Sequence, residues 1–463
     1  MSQPVVSSSP DAFTDRPRLH GLVGDILDEA RRQGAVAAEA GASMESGLSA
    51  TVRLGEVETI EYNRDKGLAV TVYFPAGAGE PGLRKGSAST TDFGAEAVRE
   101  TVRAACDIAR YTSADRYAGP AEAELMAVDV PDLDLCHPWG IDAEAALELA
   151  LECERAALDA DARIRNSEGA SVSSHEGYRV YANSHGFVGG FPSTRHSLSC
   201  AVIGEQGGAM QRDHWYTVSR VPGELEAAAA VGRRAAERTL RRLGARRVGT
   251  EQVPVVFAAE LAGGLLGGLL RGISGGAQYR RASFLLDAMG ERLFPEFVRI
   301  HEQPHLPRAL GSAPFDNEGV ATQARDLVAD GVLKSYVLDS YSARRLGRQT
   351  TGNAGGVHNL RIDPGPAQRS GDQAALLAAM GRGLLVTELM GQGLNAVTGD
   401  YSRGAAGFWV EGGEIQYPVE ELTIAGNLRE MFAGLQAVGS DVDTRGNVHT
   451  GSWLIERMTM AGE

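Results

Sequence analysis

Glycine constrains this chain more than any other residue: it supplies 58 of 463 positions and cuts apolar runs before they lengthen. Glycine admits backbone conformations and close approaches that other residues refuse, so this density points to a turn-rich, largely β structure. The longest apolar stretch, residues 257–270, contains Gly263, Gly264, Gly267 and Gly268 and is too short for a membrane span. The length leaves room for two or three units with their own cores.

Periodicity orders these pieces. Residues 19–33 carry Leu22, Val23, Ile26 and Leu27 on one helical stripe. Strand-like runs follow at 48–54, 59–62 and 67–74, separated by Gly-Glu and Asp-Lys-Gly turns, then a helix at 94–110. Beyond a Pro- and Asp-rich connection near 131–138 the order recurs: a helix at 142–158, strands at 170–172, 177–182, 186–189 and 197–203, and a helix at 224–243. This is a helix, meander, helix unit used twice. Residues 244–249, with Arg246 and Arg247, read as the linker that closes a first domain. From 251 onward the texture is short apolar runs at 254–257, 333–338, 383–390, 407–410, 414–417 and 452–458, with helical patterns only at 261–270 and 373–380. The expectation is an α+β protein. Residues 18–248 form an antiparallel sheet with helices, and 249–463 a mainly antiparallel β sandwich or barrel-like domain with a few helices. Residues 1–17 are rich in Ser, Pro and Asp, lack the apolar core of a signal peptide, and are expected to form a disordered tail.

Charge narrows the partners. Sixty acidic residues against 45 Lys and Arg give a formal charge of -15, which disfavours direct contact with nucleic acid or an anionic membrane. The four cysteines, Cys106, Cys136, Cys153 and Cys200, form no C-x-x-C pair, a usage that suits a reducing cytoplasm.

Three strings mimic catalytic motifs. His301-Glu302-Gln303-Pro304-His305 spells a zinc-peptidase signature, in which the histidines must share a helical face. Pro304 breaks the helix that this requires, although a loop metal at His301 and His305 stays open. Gly272-Ile273-Ser274-Gly275-Gly276 fits a nucleophile elbow, but a helical pattern precedes it instead of a strand. Gly391-Gln392-Gly393-Leu394-Asn395-Ala396 fits a dinucleotide fingerprint, yet turn-rich residues follow it, so a hairpin is the better reading. Glu388, Asn395, Asp400 and Arg403 set polar groups in an apolar segment and are candidate groove residues. His358 and Asn359 are either ligands or loop hydrogen-bonding groups.

Longer strings carry a resemblance. Residues 385–393, 398–408 and 424–428, with Ser340-Tyr341-Ser342-Ala343-Arg344, Pro314-Phe315-Asp316 and Glu318-Gly319-Val320, closely resemble the PmbA/TldE family over nearly the whole chain. The resemblance implies a two-domain α+β protein that pairs with a TldD subunit as a cytosolic metallopeptidase acting on unfolded or flexible peptides. It further implies that the positions matching the partner's H-E-x-x-x-H ligand helix are Gly267, Gly268 and Gly272, and that a later cysteine ligand matches Thr450. Glycine has no side chain to bind a metal or move a proton, and a threonine hydroxyl is a poor zinc ligand beside a thiolate. The expectation is a chain with no cofactor of its own that completes or gates the chamber of a zinc-bearing TldD-like partner. Two alternatives remain: a stand-alone hydrolase using Ser274 or a loop metal at His301 and His305, and a non-enzymatic homodimeric binding or regulatory protein.

Overall fold

A computed structural model of the chain describes residues 15–77, 79–364 and 371–462. Residues 1–14 of the expected tail lie outside the described residues, whereas Arg16 and Pro17 already form the first turn of a helix.

The first half consists of two units of the same order. One comprises α1 (Arg16–Arg32), β1 (Ala37–Arg53), β2 (Glu56–Pro75), β3 (Leu83–Thr90) and α2 (Ala95–Tyr111). The other comprises α3 (Ala143–Leu158), β4 (Ile164–Asn183), β5 (Val188–Gln206), β6 (Ala209–Ser219) and α4 (Ala228–Arg241). Strands β1 and β4 pair antiparallel from Glu39↔Asn183 to Val52↔Ala170, joining the units into one sheet, β3-β2-β1-β4-β5-β6, curled into a half-barrel.

Strand alternation puts Ala38, Ala40, Ala42, Leu48, Ala50 and Val52 of β1 on one face, and all four helices pack there. The other face is covered by no helix among the described residues, and hydroxyls run across it: Ser49 to Ser173 at 3.0 Å and Thr51 to Ser171 at 2.9 Å. Small residues set the helix spacing. A Cβ on Gly232 of α4 would fall 1.9 Å from the Cys153 carbonyl oxygen of α3, so only glycine fits that crossing. The units also interlock through Glu154 of α3. Its buried carboxylate accepts the N–H groups of Leu54 and Gly55, both at 2.8 Å, in the left-handed turn joining β1 to β2.

Several sequence-expected strands are fragments of these longer ones. The runs at 48–54, 59–62 and 67–74 belong to β1 and β2, those at 170–172 and 177–182 are both β4, and 186–189 spans the end of the turn and the start of β5. Strands β3 and β6 carry no run that periodicity marks. Strand β3 covers only Leu68 to Pro75 of β2, so the outer edge of β2 from Glu56 to Lys66 has no strand partner among the described residues. Val57, Ile60 and Tyr62 are exposed along it.

The second half contains β7 (Glu251–Phe257), α5 (Ala259–Ile273), α6 (Gly275–Tyr279), β8 (Ile300–Glu302), β9 (Arg325–Ala329), β10 (Val332–Leu333), α7 (Ser340–Arg345) and β11 (Leu360–Ile362). It continues with α8 (Gln373–Met380), β12 (Gly383–Met390), β13 (Asp400–Glu411), β14 (Glu414–Asn427), α9 (Leu428–Ala433), β15 (Leu435–Val438), β16 (Val448–His449) and β17 (Trp453–Ala461). The order β14-β13-β12-β7-β17 closes into a five-stranded barrel because β14 pairs again with β17, and β15 adds to β17 outside the ring. A smaller sheet, β10-β9-β8-β11-β16, lies beside it. The α+β class and the barrel-like second half match the expectation from sequence.

Helix α5 packs against the barrel. Its glycines each cost about 1 kcal/mol of helix propensity relative to alanine. Leu265, Leu266, Leu269 and Ile273 are buried in one core with Val255, Phe257 and Trp453, and each buried side chain contributes about 1.5–3 kcal/mol. Tertiary packing therefore outweighs the weak propensity.

The halves meet through residues of the strings singled out above. The Arg344 guanidinium donates to Glu122 Oε1 at 2.8 Å and to the carbonyls of Tyr117, Gly119 and Pro120, while the Tyr341 hydroxyl donates to Asp115 at 2.7 Å. Both side chains hold the segment that connects the two N-terminal units. Asp316 accepts the N–H groups of Glu318, Val320 and Ala354 and so shapes the turn docked against Leu125 and Ala127. Glu318 accepts the Ser340 N–H at 3.0 Å; burial, then the nearby Asp316 and Asp339 carboxylates, push its pKa up to about 7.

Gly264→Ala and Gly267→Ala place a methyl where nothing lies within 4 Å and should each stabilise the chain by about 0.5–1 kcal/mol in urea unfolding. Gly268→Ala, whose Cβ would stand 2.7 Å from Leu428 Cδ1, should instead cost about 1–3 kcal/mol. For Glu318 the folded chain keeps a proton that the unfolded chain releases near the ordinary glutamate value, so stability falls as pH rises from there to about 7. Glu318→Gln should remove that fall, gaining about 1–3 kcal/mol on wild type between pH 5 and pH 8.

Candidate functional site

The positions that the resemblance matches to a ligand helix lie in the middle and last turn of α5. Gly267 borders open space, but Gly268 and Gly272 are buried: a Cβ at 272 would meet Leu285 Cδ1 and Phe284 Cε1, both at 2.9 Å. Two of the three directions a ligand helix would use are thus occupied by leucine and phenylalanine side chains. Strand β16, one residue before Thr450, reaches the same helix, with Val448 Cγ1 3.7 Å from a Cβ placed on Gly263. Thr450 is buried. Its hydroxyl accepts from Trp453 Nε1 at 2.7 Å and donates to the Gly451 carbonyl at 3.0 Å. The residues present do not fit a zinc ion, because three have no donor atom and the fourth offers a neutral hydroxyl already hydrogen-bonded.

The motif strings occupy structural roles. His301 and Glu302 lie on β8 and His305 in the turn after it, so the two histidines do not share the helical face that a zinc-peptidase signature requires. His301 Nε2 bonds Asp363 at 2.9 Å, and His305 bonds Thr322 Oγ1 at 3.0 Å, with burial holding its pKa below the ordinary histidine value. Glu302 is buried and accepts from Asn353 Nδ2 at 2.8 Å and from the His358 N–H at 2.6 Å. Asn359 donates to the Gln303 carbonyl and Ser312, and accepts from Gly311 N–H. Ser274 follows a helix and caps α6: its Oγ accepts the Ala277 N–H at 3.3 Å and donates to the Arg271 carbonyl at 3.0 Å. The glycine string at 391–396 joins β12 to β13, with no helix after it.

The four candidate groove residues lie on β12, on β13 and in the connection between them. Glu388 pairs with Arg242, the residue that caps the end of α4, tying the halves together. Asn395 Oδ1 accepts the N–H groups of Val397 and Thr398, and Asp400 accepts from Thr398 Oγ1 at 2.6 Å and Asn427 Nδ2 at 3.2 Å. Arg403 lies beside the buried Tyr401 hydroxyl.

A cleft that sequence reasoning missed opens on the helix-free face of the N-terminal sheet. Glu39 of β1 accepts there from the hydroxyls of Tyr73 at 2.5 Å and Tyr181 at 2.7 Å. Beside them, Gly41, Ser43, Gly67, Ala69, Arg179 and the loop 315–317 enclose about 770 Å³. Its small residues gave no signal, because Gly, Ser and Ala read equally well as turn or surface.

Models of the PmbA/TldA metallopeptidase domain 1, central domain and C-terminal domain match residues 38–109, 136–243 and 250–462. The chain is 51% identical over 426 residues to metalloprotease PmbA of Escherichia coli O157:H7, covering 92% of each. It superposes on a Bacteroides thetaiotaomicron protein described as a modulator of DNA gyrase with a TM-score of 0.89, at 28% identity over 97% of this chain and 100% of that one. TldE from Thermococcus kodakarensis shares the fold, with a TM-score of 0.82 at 20% identity over 95% of this chain and 100% of that one. This chain belongs to the PmbA/TldD family of metallopeptidases.

Proposed function

We propose that the chain is the metal-free subunit of a two-chain PmbA/TldD-type peptidase, completing or gating the chamber in which a TldD-like partner holds zinc and cleaves unfolded or flexible peptides. The observation that carries this reading is the state of α5. Glycine stands at all three matched positions, and Leu428, Leu285 and Phe284 pack where side chains at 268 and 272 would project. Restoring a ligand there would require rebuilding the core as well as changing one residue.

The open edge of β2 supports a partner. An unpaired strand edge with exposed Val57, Ile60 and Tyr62 is a liability that proteins usually cover. A stand-alone serine or loop-metal hydrolase is less supported, since Ser274, His301 and His305 are all engaged in local hydrogen bonds. A regulatory role at DNA gyrase rests on the descriptions of two structural neighbours, from Bacteroides thetaiotaomicron and Thermotoga maritima, and the charge of -15 weighs against direct DNA contact.

Co-purification with a TldD-like subunit, followed by digestion of an unfolded protein, tests the proposal. The expected result is a stable pair whose proteolysis is lost on chelation and restored by zinc, with no cleavage by this chain alone. Cleavage by the isolated chain at the rate of the pair would sink the reading.

A further inference from the structure

The cleft on the helix-free face is built from strand register. Ser43 pairs with Gly67 and Arg179, Gly41 pairs with Ala69 and Tyr181, and Ala69 pairs with Ser89. Cross-strand partners share a face. Gly41, Ser43, Gly67, Ala69 and Ser89 therefore form a floor in which no side chain exceeds serine. A Cβ on Gly67 would meet nothing within 4 Å, and one on Gly41 only the Val180 carbonyl oxygen at 3.9 Å. One wall is Arg179 and Tyr181 of β4, and Phe315, Asp316 and Asn317 from the second half complete it.

Arg179 is the only cation among the described residues lining this cleft. Its guanidinium lies 4.5 Å from the Phe191 ring centroid and donates through Nη1 to Asn317 Oδ1 at 3.0 Å, a neutral acceptor. Among the described residues no carboxylate forms an ion pair with it. The acidic group of the wall, Asp316, spends both carboxylate oxygens on the N–H groups of Glu318, Val320 and Ala354. Burial depresses the Arg179 pKa, and Asp316 only partly offsets this. A guanidinium stacked on an aromatic ring, with donors to spare and no ion-pair partner, beside a floor open to an extended chain, is suited to one anionic group. A single planar fork matches a carboxylate, whereas a phosphate group commonly recruits several cations.

We propose that Arg179 binds the carboxylate of a peptide lying across the floor formed by Gly41, Ser43, Gly67, Ala69 and Ser89. The carboxylate is either the chain terminus or an acidic side chain. This deepens the proposed function, since it rests on the chain handling peptides, and it assigns this subunit a part in selecting them. Arg179 acts as a binding residue, with no role in bond cleavage.

The test measures fluorescence anisotropy with the full chain and three labelled peptides of the same neutral, unstructured sequence: one with a free carboxyl terminus, its carboxamide, and the carboxamide carrying one internal Asp. At least one acidic peptide should bind about tenfold tighter than the neutral amide, the scale of one charge-assisted hydrogen-bonding contact; which one does so identifies the source of the carboxylate. Arg179→Gln should abolish the preference and Arg179→Lys keep part of it. Ser43→Asp, at the exposed register partner of Arg179, should abolish it while leaving Arg179 in place, so a folding defect in one variant does not decide the matter. Equal affinity for all three peptides, no binding of any, or a preference that survives both Arg179→Gln and Ser43→Asp overturns the proposal. Zinc-dependent proteolysis by the pair would be unaffected by that outcome, so the two readings fail separately.

Discussion

The leucine face of α5 is the contact on which the second half depends. Leu265, Leu266, Leu269 and Ile273 are buried against strands of the closed barrel, and that burial holds a helix whose glycines would not sustain it alone. The same packing fixes which helix positions point inward. Gly268 and Gly272 face Leu428, Leu285 and Phe284, while Gly264 and Gly267 border open space. Fold and chemistry are therefore coupled, because the side chains that complete the core fill directions a metal-binding helix would need.

The first half solves a different problem with one pattern used twice. Two helix, meander, helix units share a sheet by pairing their leading strands, and all four helices cover one face. The opposite face is left to hydroxyls and glycines, with the second half docked at one end through the turn around Asp316 and Glu318. This arrangement leaves a broad polar surface beside the junction, where Arg179 is the one cation among the described residues lining the trough.

The helices were legible because their core stripes use leucine, isoleucine and valine at helical spacing, as Leu22, Val23 and Ile26 do in α1. The early part of β1 was not, since its buried positions are Ala38, Ala40 and Ala42 and the intervening ones Glu39, Gly41 and Ser43, an alternation with little hydropathic contrast. Strand β3 had still less signal, because Arg84, Lys85 and Ser87 dominate it. The strings at 314–320 and 340–344 were visible as a family likeness, but their use as clamps on the 115–127 segment emerges only when Arg344 meets carbonyls more than 220 residues away. Arg179 was hidden for the same reason: its polar partner, Asn317, lies 138 residues along the chain.

The central claim, that this chain contributes architecture while zinc resides in another subunit, is tested most directly by metal analysis of the purified chain and of its complex with a TldD-like subunit. The account predicts zinc near background for the chain alone and about one ion per two-chain complex. Stoichiometric zinc on the isolated, folded chain would contradict it.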